Sequence, residues 1–124
     1  MNRRSGVTAA AFQQARAEYA RIPFWQDAPM SLQHNTYFDD AVQSVAYQRS
    51  AGRASVGVMD AGQYHFGTDA PERMTVVDGE LRVKLPGAEW QQFPAGTSFE
   101  VPGSSGFDLE VEVPTAYLCE YLEG

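Results

Sequence analysis

Cysteine and long apolar runs are scarce in this 124-residue sequence, and each shortage excludes a class of protein. The single cysteine, Cys119, cannot form an internal disulfide, so a disulfide-stapled scaffold is excluded and a reducing compartment such as the cytoplasm is expected. No run approaches the ~18 consecutive apolar residues of a spanning helix, so no membrane segment is expected. The length instead suits one small domain with a single core.

Basic residues are also scarce, nine against sixteen acidic ones, and the imbalance begins near residue 30. Residues 1–29 carry four arginines and two acidic residues, whereas residues 30–124 carry five basic and fourteen acidic residues. Such an acidic body repels phosphate backbones, so nucleic acid is not an expected partner. An anionic ligand must be held by backbone N–H groups or by one of a few cations: Arg49, Arg53, Arg73, Arg82 and Lys84.

The N-terminal residues differ from the rest, and we divide the chain into an extension, residues 1–30, and a domain, residues 31–124. Residues 7–22 are rich in helix formers, and the prolines at positions 23 and 29 follow them, which predicts a short helix. An export signal is disfavoured because Gln13 and Gln14 interrupt an already short apolar run. We expect the domain to fold without the extension.

From residue 37 onward, apolar and polar residues alternate in short segments separated by glycine, proline and aspartate. The alternation predicts nine strands within residues 41–48, 53–60, 62–68, 74–79, 80–86, 90–96, 97–103, 106–113 and 115–122. The Asp78-Gly79 pair between two of these segments predicts a tight hairpin. Nine short strands without an internal helix predict an all-β domain, either a closed antiparallel barrel or a jelly roll.

Two spacings of turn residues are typical of the double-stranded β-helix of cupins. Glu72 and Gly79 match the E-x6-G end of the first cupin motif, and Gly96 and Pro102 match the G-x5-P opening of the second. The usual metal ligands are missing, since Tyr-His-Phe at residues 64–66 replaces H-x-H and residues 103–110 contain no histidine. A metal site needs three or four convergent ligands, so no metal is expected.

Longer runs resemble the pyrimidine/purine nucleoside phosphorylase family of small single-domain cupins. They are N-x-YF (35–38), GRASVGVM (52–59), PERMTVVDGELRVKLPG (71–87), FEVPGSSGFDL (99–109) and PTAYLCEYL (114–122). The resemblance implies a cupin-like jelly-roll barrel that cleaves purine and pyrimidine nucleosides with inorganic phosphate to free base and ribose 1-phosphate. It also implies a homodimer that needs no cofactor besides the phosphate co-substrate.

Three positions depart from the pattern that this resemblance implies. His65 stands where a small polar residue is expected, and Ser104 and Asp108 stand where relatives carry histidines in the second motif. Base preference or rate is expected to reflect these differences.

Phosphorolysis needs a cation for phosphate, a carboxylate near the ribose, and an aromatic wall for the base. Arg53 and Ser55 are two positions apart in a predicted strand, so they share a face and could hold phosphate together. A solvated arginine at a strand start is the alternative for Arg53. Glu72 could bind ribose hydroxyls or stabilise positive charge on the sugar, unless it is a turn carboxylate in solvent.

Four aromatic residues and one carboxylate complete the candidate substrate-binding set. Tyr64, Phe66, Phe107 and Tyr117 could stack on a base, although each also suits a core. Asp108 falls on the polar side of its strand by alternation and is expected in solvent unless that side is the barrel interior.

Two reactive residue types are weaker candidates. His65 could act as a general acid near neutral pH, but its parity is opposite to that of Tyr64 and Phe66, which predicts an outward side chain. Cys119 alternates with Tyr117 and Tyr121 and is expected to be a buried small hydrophobe rather than a nucleophile.

Two other functions remain open at this point. A non-catalytic small-ligand-binding cupin is compatible with the same barrel, because one fold hosts many functions. A metal-dependent cupin enzyme is opposed by the missing histidines.

Overall fold

The computed structural model describes residues 32–123, and their regular elements are all β-strands. The strands are β1 Leu32–Tyr37, β2 Val42–Arg49, β3 Gly52–Met59, β4 Gly62–Thr68, β5 Glu72–Asp78, β6 Glu80–Lys84, β7 Trp90–Pro94, β8 Ser98–Val101, β9 Ser105–Val111 and β10 Thr115–Tyr121. The all-β prediction is confirmed, and the nine predicted strands correspond to β2 through β10. The helix expected in the extension lies outside the described residues. Residues 32–123 contain no helix long and apolar enough to span a membrane.

Two antiparallel sheets enclose the core. The six-stranded sheet has the order β1-β2-β3-β10-β5-β8, and the four-stranded sheet has the order β4-β9-β6-β7. The chain crosses between the sheets repeatedly, for example from β3 to β4 and from β4 to β5. Strands distant in sequence therefore become neighbours, as in a jelly roll.

The core forms where strands such as β6 and β9 turn an apolar side towards the opposite sheet. In β9, Phe107, Leu109 and Val111 are buried, whereas the residues between them are partly exposed. Leu81 and Val83 of β6 are fully buried in the same way. Full burial of such a side chain stabilises a fold by about 1.5–3 kcal/mol, so this alternation fixes which side of each strand faces inward.

Sequence patterning missed β1, which forms one edge of the six-stranded sheet. The strand pairs with β2 from Leu32 opposite Tyr47 to Tyr37 opposite Val42. Its inward positions include Gln33 and Asn35, whose neighbours across the ladder are the buried Ala46 and Ser44. A strand with amide side chains on its inner face lacks the apolar alternation by which strands are recognised.

The predicted hairpin at Asp78-Gly79 is wrong. The strand before it, β5, pairs with β8 and β10, whereas the strand after it, β6, pairs with β7 and β9 in the other sheet. Gly79 adopts a φ of +96°, and a Cβ there would lie 2.4 Å from Thr115 Oγ1. That hydroxyl accepts a 3.1 Å hydrogen bond from the Glu80 N–H. Gly79 therefore allows the chain to pass close to Thr115 as it crosses from one sheet to the other.

The connection between β1 and β2 holds three consecutive non-glycine residues in the left-handed region. The φ values of Phe38, Asp39 and Asp40 are 53°, 57° and 73°. The Phe38 ring packs 4.9 Å from the Tyr64 ring and 5.3 Å from the Phe66 ring, measured between centroids. Among the described residues, the buried Oδ2 of Asp40 has no hydrogen-bond partner. The positive φ values and the unpaired carboxylate oxygen are both energetically unfavourable, and the aromatic packing of Phe38 stabilises the connection against them.

Asp40→Gly is therefore expected to stabilise the protein by about 1 kcal/mol, because glycine adopts positive φ without steric cost. Urea unfolding followed by tryptophan fluorescence measures the change in the free energy of unfolding. Asp40→Asn is the matched control, since it removes the charge and keeps the side chain. An equal gain in both variants would assign the effect to the carboxylate, and a loss in Asp40→Gly would contradict the strain argument.

Candidate active site

A cavity of about 360 Å³ lies between the sheets beside the connection from β4 to β5. Its wall combines aromatic, sulfur-containing, polar and small residues, and none of the described lining residues is basic. They are Tyr37, Phe66, Phe107, Tyr117, Tyr121, Met59, Met74, Cys119, Ser44, Ser55, Asp69, Glu72, Gly67 and Ala70. This volume and mixture are typical of a small-molecule site.

The last strand, β10, supplies the centre of the cavity wall. Tyr117, Cys119 and Tyr121 occupy alternate positions and face the same side. Cys119 lies between Ser55 of β3 and Met74 of β5 in the two flanking ladders. The central position of β10 therefore brings side chains from three strands to one surface.

A glycine in β3 makes room for one of these tyrosines. Gly57 lies opposite Tyr117 in the ladder, and a Cβ on it would be 2.5 Å from Tyr117 Oη. The tyrosine ring can lie across β3 only because that Cβ is missing.

Glu72, the first residue of β5, places a half-buried carboxyl group in the wall. The Cys119 thiol donates a 3.4 Å hydrogen bond to Glu72 Oε1. Burial raises the pKa of Glu72 above its ordinary value; the thiol hydrogen bond opposes this shift, and the nearby Asp69 charge adds to it. Glu72 therefore takes up a proton more readily than a free glutamate does.

The hydroxyl and thiol groups of the wall stay protonated near neutral pH. Burial raises the pKa of Tyr121 to about 12, and its Oη lies 3.4 Å from Ser55 Oγ. Burial also raises the pKa of Tyr117 and that of Cys119 far above their ordinary values. A thiol held in this form is a hydrogen-bond donor. The burial that the sequence predicted for Cys119 is observed.

Arg53 lies next to this wall on β3, on the same side as Ser55 and two positions before it. Its Nη2 donates a 3.3 Å hydrogen bond to Gln33 Oε1. The other arginines of residues 32–123 each pair with carboxylates: Arg49 with Glu120, Arg73 with Glu100 and Glu120, and Arg82 with Glu110. Within this part of the chain, Arg53 is thus the arginine whose charge no carboxylate compensates.

The structure brings five of the predicted substrate or catalytic residues to the cavity: Ser55, Phe66, Glu72, Phe107 and Tyr117. Arg53 lies beyond Ser55 rather than among the lining residues.

The remaining two predicted residues, Tyr64 and Asp108, lie outside the cavity. Tyr64 is buried, and its hydroxyl donates a 2.7 Å hydrogen bond to the Asp60 carbonyl. Asp108 is exposed on the outer side of β9, where His65 Nδ1 lies 2.7 Å from its Oδ1. The outward positions that alternation predicted for Asp108 and His65 are both observed.

Besides Cys119, eight further lining residues were not selected from the sequence: Tyr37, Ser44, Met59, Gly67, Asp69, Ala70, Met74 and Tyr121. Tyr121 lies four positions after Tyr117, so alternation places both on the same side of the strand. This was the one sequence signal for Tyr121. Asp69 and Ala70 lie in the connection between β4 and β5, where no alternation applies. The others depend on which strands meet, which a local pattern does not specify.

The carboxylates of the cavity do not assemble a metal site. Among residues 32–123, no three His, Cys, Asp or Glu side chains are grouped closely enough to hold an ion. His65, at the position of the first motif's ligands, faces away from the cavity. The possible donors in the cavity are the carboxylates of Asp69 and Glu72 and the thiol of Cys119, with no imidazole beside them.

Residues 32–121 match the sequence pattern of the pyrimidine/purine nucleoside phosphorylase family. The chain belongs to this family. A pyrimidine/purine nucleoside phosphorylase of Sorangium cellulosum (strain So ce56) is 58% identical over 92 residues, which are 73% of this chain and 99% of that relative.

Solved structures support the same fold for this member of the pyrimidine/purine nucleoside phosphorylase family. A Vibrio parahaemolyticus protein of unknown function superposes with a TM-score of 0.72 at 51% identity, over 75% of this chain and all of that one (100%). An RmlC-like cupin from Shewanella frigidimarina has a TM-score of 0.57 at 16% identity, over 74% of this chain and 93% of its own. The expected cupin-like jelly roll is therefore confirmed.

The raised pKa of Glu72 predicts that this member of the pyrimidine/purine nucleoside phosphorylase family has a smaller free energy of unfolding as the pH rises. Its folded-state pKa is raised, so its favourable contribution is complete below the ordinary value of 4.5 and is lost as the pH rises through the folded-state value. Glu72→Gln should therefore raise the thermal midpoint at pH 7–8 and leave it nearly unchanged at pH 4. Melting curves across this range, with the exposed Glu112→Gln as control, measure the effect. A midpoint lowered equally at every pH would contradict the prediction, because it would show that the ionisation of Glu72 does not affect stability.

Proposed function

We propose that the protein cleaves purine and pyrimidine nucleosides by phosphorolysis, releasing free base and ribose 1-phosphate. The observation that carries this proposal is the uncompensated charge of Arg53, among the described residues, beside a cavity that holds a carboxyl group and aromatic rings. Relatives that share over half of the matched residues carry the name of this activity.

Each step of the reaction has a group suited to it. The N-glycosidic bond breaks, its electron pair passes to the base, and a phosphate oxygen bonds to the ribose C1′. The proton of the hydrogen phosphate dianion passes to the departing base. Arg53 and Ser55 hold the phosphate dianion, because a guanidinium forms charge-assisted hydrogen bonds to two oxygens. Glu72 binds the ribose and stabilises the positive charge that develops on it, and Asp69 adds a second negative group.

Tolerance for different bases follows from how the cavity contacts a planar ring. Phe66, Phe107 and Tyr117 offer stacking surfaces, which bind purines and pyrimidines alike. No asparagine, glutamine or basic residue occurs among the described lining residues to read a base edge. Met59 and Met74 adapt to ligands of different shape. We therefore propose broad rather than narrow base specificity.

Phosphate is the only co-substrate in this proposal, and no metal takes part. The cavity supplies two carboxylates and a thiol without imidazole ligands, and no three such side chains of residues 32–123 are grouped closely enough to hold an ion. We place the reaction in the cytoplasm, since a chain with one cysteine suits a reducing compartment.

Arg53→Ala should lower kcat/KM by about 30- to 1000-fold and raise the KM for phosphate, because one charge-assisted contact to a desolvated dianion is worth about 2–4 kcal/mol. Base release from uridine, adenosine, guanosine and inosine, with and without phosphate and in the presence of chelator, is the measurement. Arg53→Lys should restore activity only in part, since lysine keeps the charge and loses the fork.

Arg82→Ala is the matched control. Arg82 pairs with Glu110 and lies 4.9 Å from the Trp90 ring centroid on the outer side of the four-stranded sheet. Equal losses at positions 53 and 82 would remove Arg53 from the mechanism. Nucleoside binding without base release would identify a ligand-binding cupin, and activity that a particular metal restores after chelation would contradict the metal-free reaction.

We further propose that the protein is a homodimer that associates through the outer face of the six-stranded sheet. On that face, Val45 lies opposite Val56, and Leu118 lies beside Val56 on the other side. Val45, Val56 and Val58 are 41%, 47% and 52% exposed, an apolar row that monomers rarely leave in water. The outer face of the four-stranded sheet instead carries ion pairs such as His65–Asp108 and Arg82–Glu110.

The charges on this apolar face are balanced, which favours a second copy as the partner. Arg49 and Arg73 both contact Glu120, and Arg73 also contacts Glu100, so two positive and two negative groups lie together. Two copies of a chain with net charge −7 repel one another over most of their surface. A two-fold contact centred on the balanced face brings identical valines together with the least repulsion.

Val56→Glu should convert the dimer to a folded monomer, because a two-fold contact would bury two unpaired carboxylates. Light scattering after size-exclusion chromatography measures the mass. Gln63→Glu adds the same charge at an exposed position of β4 and should leave the dimer intact. A wild-type monomer, or a dimer that survives Val56→Glu, would refute this interface.

A further inference from the structure

The edge strand β1 presents two amide side chains to the inner face of the six-stranded sheet. Gln33 and Asn35 occupy alternate positions, opposite the buried Ala46 and Ser44 of β2. Gln33 Nε2 donates a 3.3 Å hydrogen bond to Asn35 Oδ1, and Gln33 Oε1 accepts the 3.3 Å hydrogen bond from Arg53. The Gln33 side chain therefore reaches past β2 to a residue of β3.

Hydrogen-bond chemistry determines the orientation of this amide. A guanidinium has donors only, so the atom of Gln33 that faces Arg53 must be the oxygen. Its nitrogen then faces Asn35, which accepts with its own oxygen. The hydrogen bond to Asn35 thereby stabilises the orientation in which the Gln33 oxygen faces the arginine.

A neutral acceptor orients Arg53 without neutralising it. Of the five donors of a guanidinium, one is used by Gln33 in the described part of the chain, and no carboxylate there contacts Arg53. Glu120 and Glu110, in contrast, compensate other arginines. At the Gln33 position, a carboxylate would hold the guanidinium equally well and would compete with any bound anion.

We propose that Gln33, held by Asn35, is the positioning residue that aims the Arg53 guanidinium at a phosphate oxyanion beside Ser55. This inference rests on the proposed phosphorolysis for its ligand and on the hydrogen bonds of β1 for its geometry. Gln33 acts through Arg53 and need not touch phosphate itself. Strand β1 is then part of the phosphate site and not only an edge of the sheet.

Two substitutions at Gln33 test this role by kinetics. Gln33→Glu should raise the KM for phosphate about 10-fold or more, because an ion pair with Arg53 replaces a neutral hydrogen bond. Gln33→Leu should raise it by about 3- to 10-fold, the size of one lost hydrogen bond. The KM for the nucleoside should remain near that of the wild type in both variants, which a general loss of structure would not produce.

A double variant separates positioning from a merely structural role. In an Arg53→Ala background, Gln33→Leu should add no further increase in the KM for phosphate, because the residue through which it acts is gone. Gln63→Glu adds the same charge as Gln33→Glu on the outer side of β4 and should leave the KM for phosphate unchanged. Additive losses in the double variant would overturn the proposal.

Phosphate binding without turnover distinguishes failure of this inference from failure of the proposed function. Inorganic phosphate should raise the thermal midpoint of the wild type, as any ligand of the folded state does, and should raise it less in Gln33→Glu. Phosphorolysis with an unaltered KM for phosphate in both Gln33 variants would refute the inference alone. A phosphate-induced shift that Gln33→Glu abolishes, in a protein without phosphorolysis, would support the inference and refute the function. No phosphate-induced shift and no phosphorolysis in the wild type would refute both.

Discussion

The insertion of β10 between β3 and β5 is the constraint on which the cavity depends. The ladder to β3 places Cys119 beside Ser55, and the ladder to β5 places Tyr121 beside Glu72. Backbone hydrogen bonds fix these neighbours, because a slip of one residue would turn every side chain of the strand to the other face. The aromatic, thiol and carboxyl groups of the wall are therefore positioned by a segment near the C-terminus that joins two distant parts of the chain.

Two charged groups at or beside this wall, Glu72 and Arg53, are in energetically unfavourable surroundings. Glu72 is partly withdrawn from water and lies near Asp69, which makes its ionised form costly. Arg53 carries a charge that, within residues 32–123, meets only an amide oxygen. Groups held in this way gain little for the fold, since a carboxylate prefers water and a guanidinium prefers a carboxylate. In the phosphorolysis that we propose, the ligands supply the missing charges: an electron-deficient sugar near Glu72 and an oxyanion near Arg53.

The outer faces of the two sheets differ in how charged and apolar side chains are arranged. The four-stranded sheet covers its outer side with polar pairs, which remain hydrated in a monomer. The six-stranded sheet exposes valines next to a balanced group of four charges, in which Glu120 contacts both Arg49 and Arg73. This difference is the basis on which we propose the six-stranded sheet, and not the four-stranded one, as the dimer interface. The outer face of the six-stranded sheet lies on the opposite side of that sheet from the cavity. A second copy bound to this face would therefore leave the cavity open.

Period-two alternation determined the all-β class, nine of the ten strands in residues 32–123 and the side on which Leu81, Phe107 or Asp108 would lie. These properties are local, because the direction of a side chain along a strand follows from its neighbours in sequence. The same local reasoning grouped Arg53 with Ser55 and separated His65 from Phe66. Cupin-like spacings and the family resemblance added the barrel that the solved relatives share.

Only the tertiary structure decided which strands meet. Asp78-Gly79 has the composition of a hairpin, yet it joins two sheets, because β5 finds its partners in β8 and β10. Gln33 belongs to a strand that alternation does not reveal, and its contact with Arg53 crosses β2. Such contacts link residues far apart in the sequence through the pairing of whole sheets. A short-range pattern fixes the parity of each side chain, and the closure of the sandwich then determines which of the inward residues share a cavity.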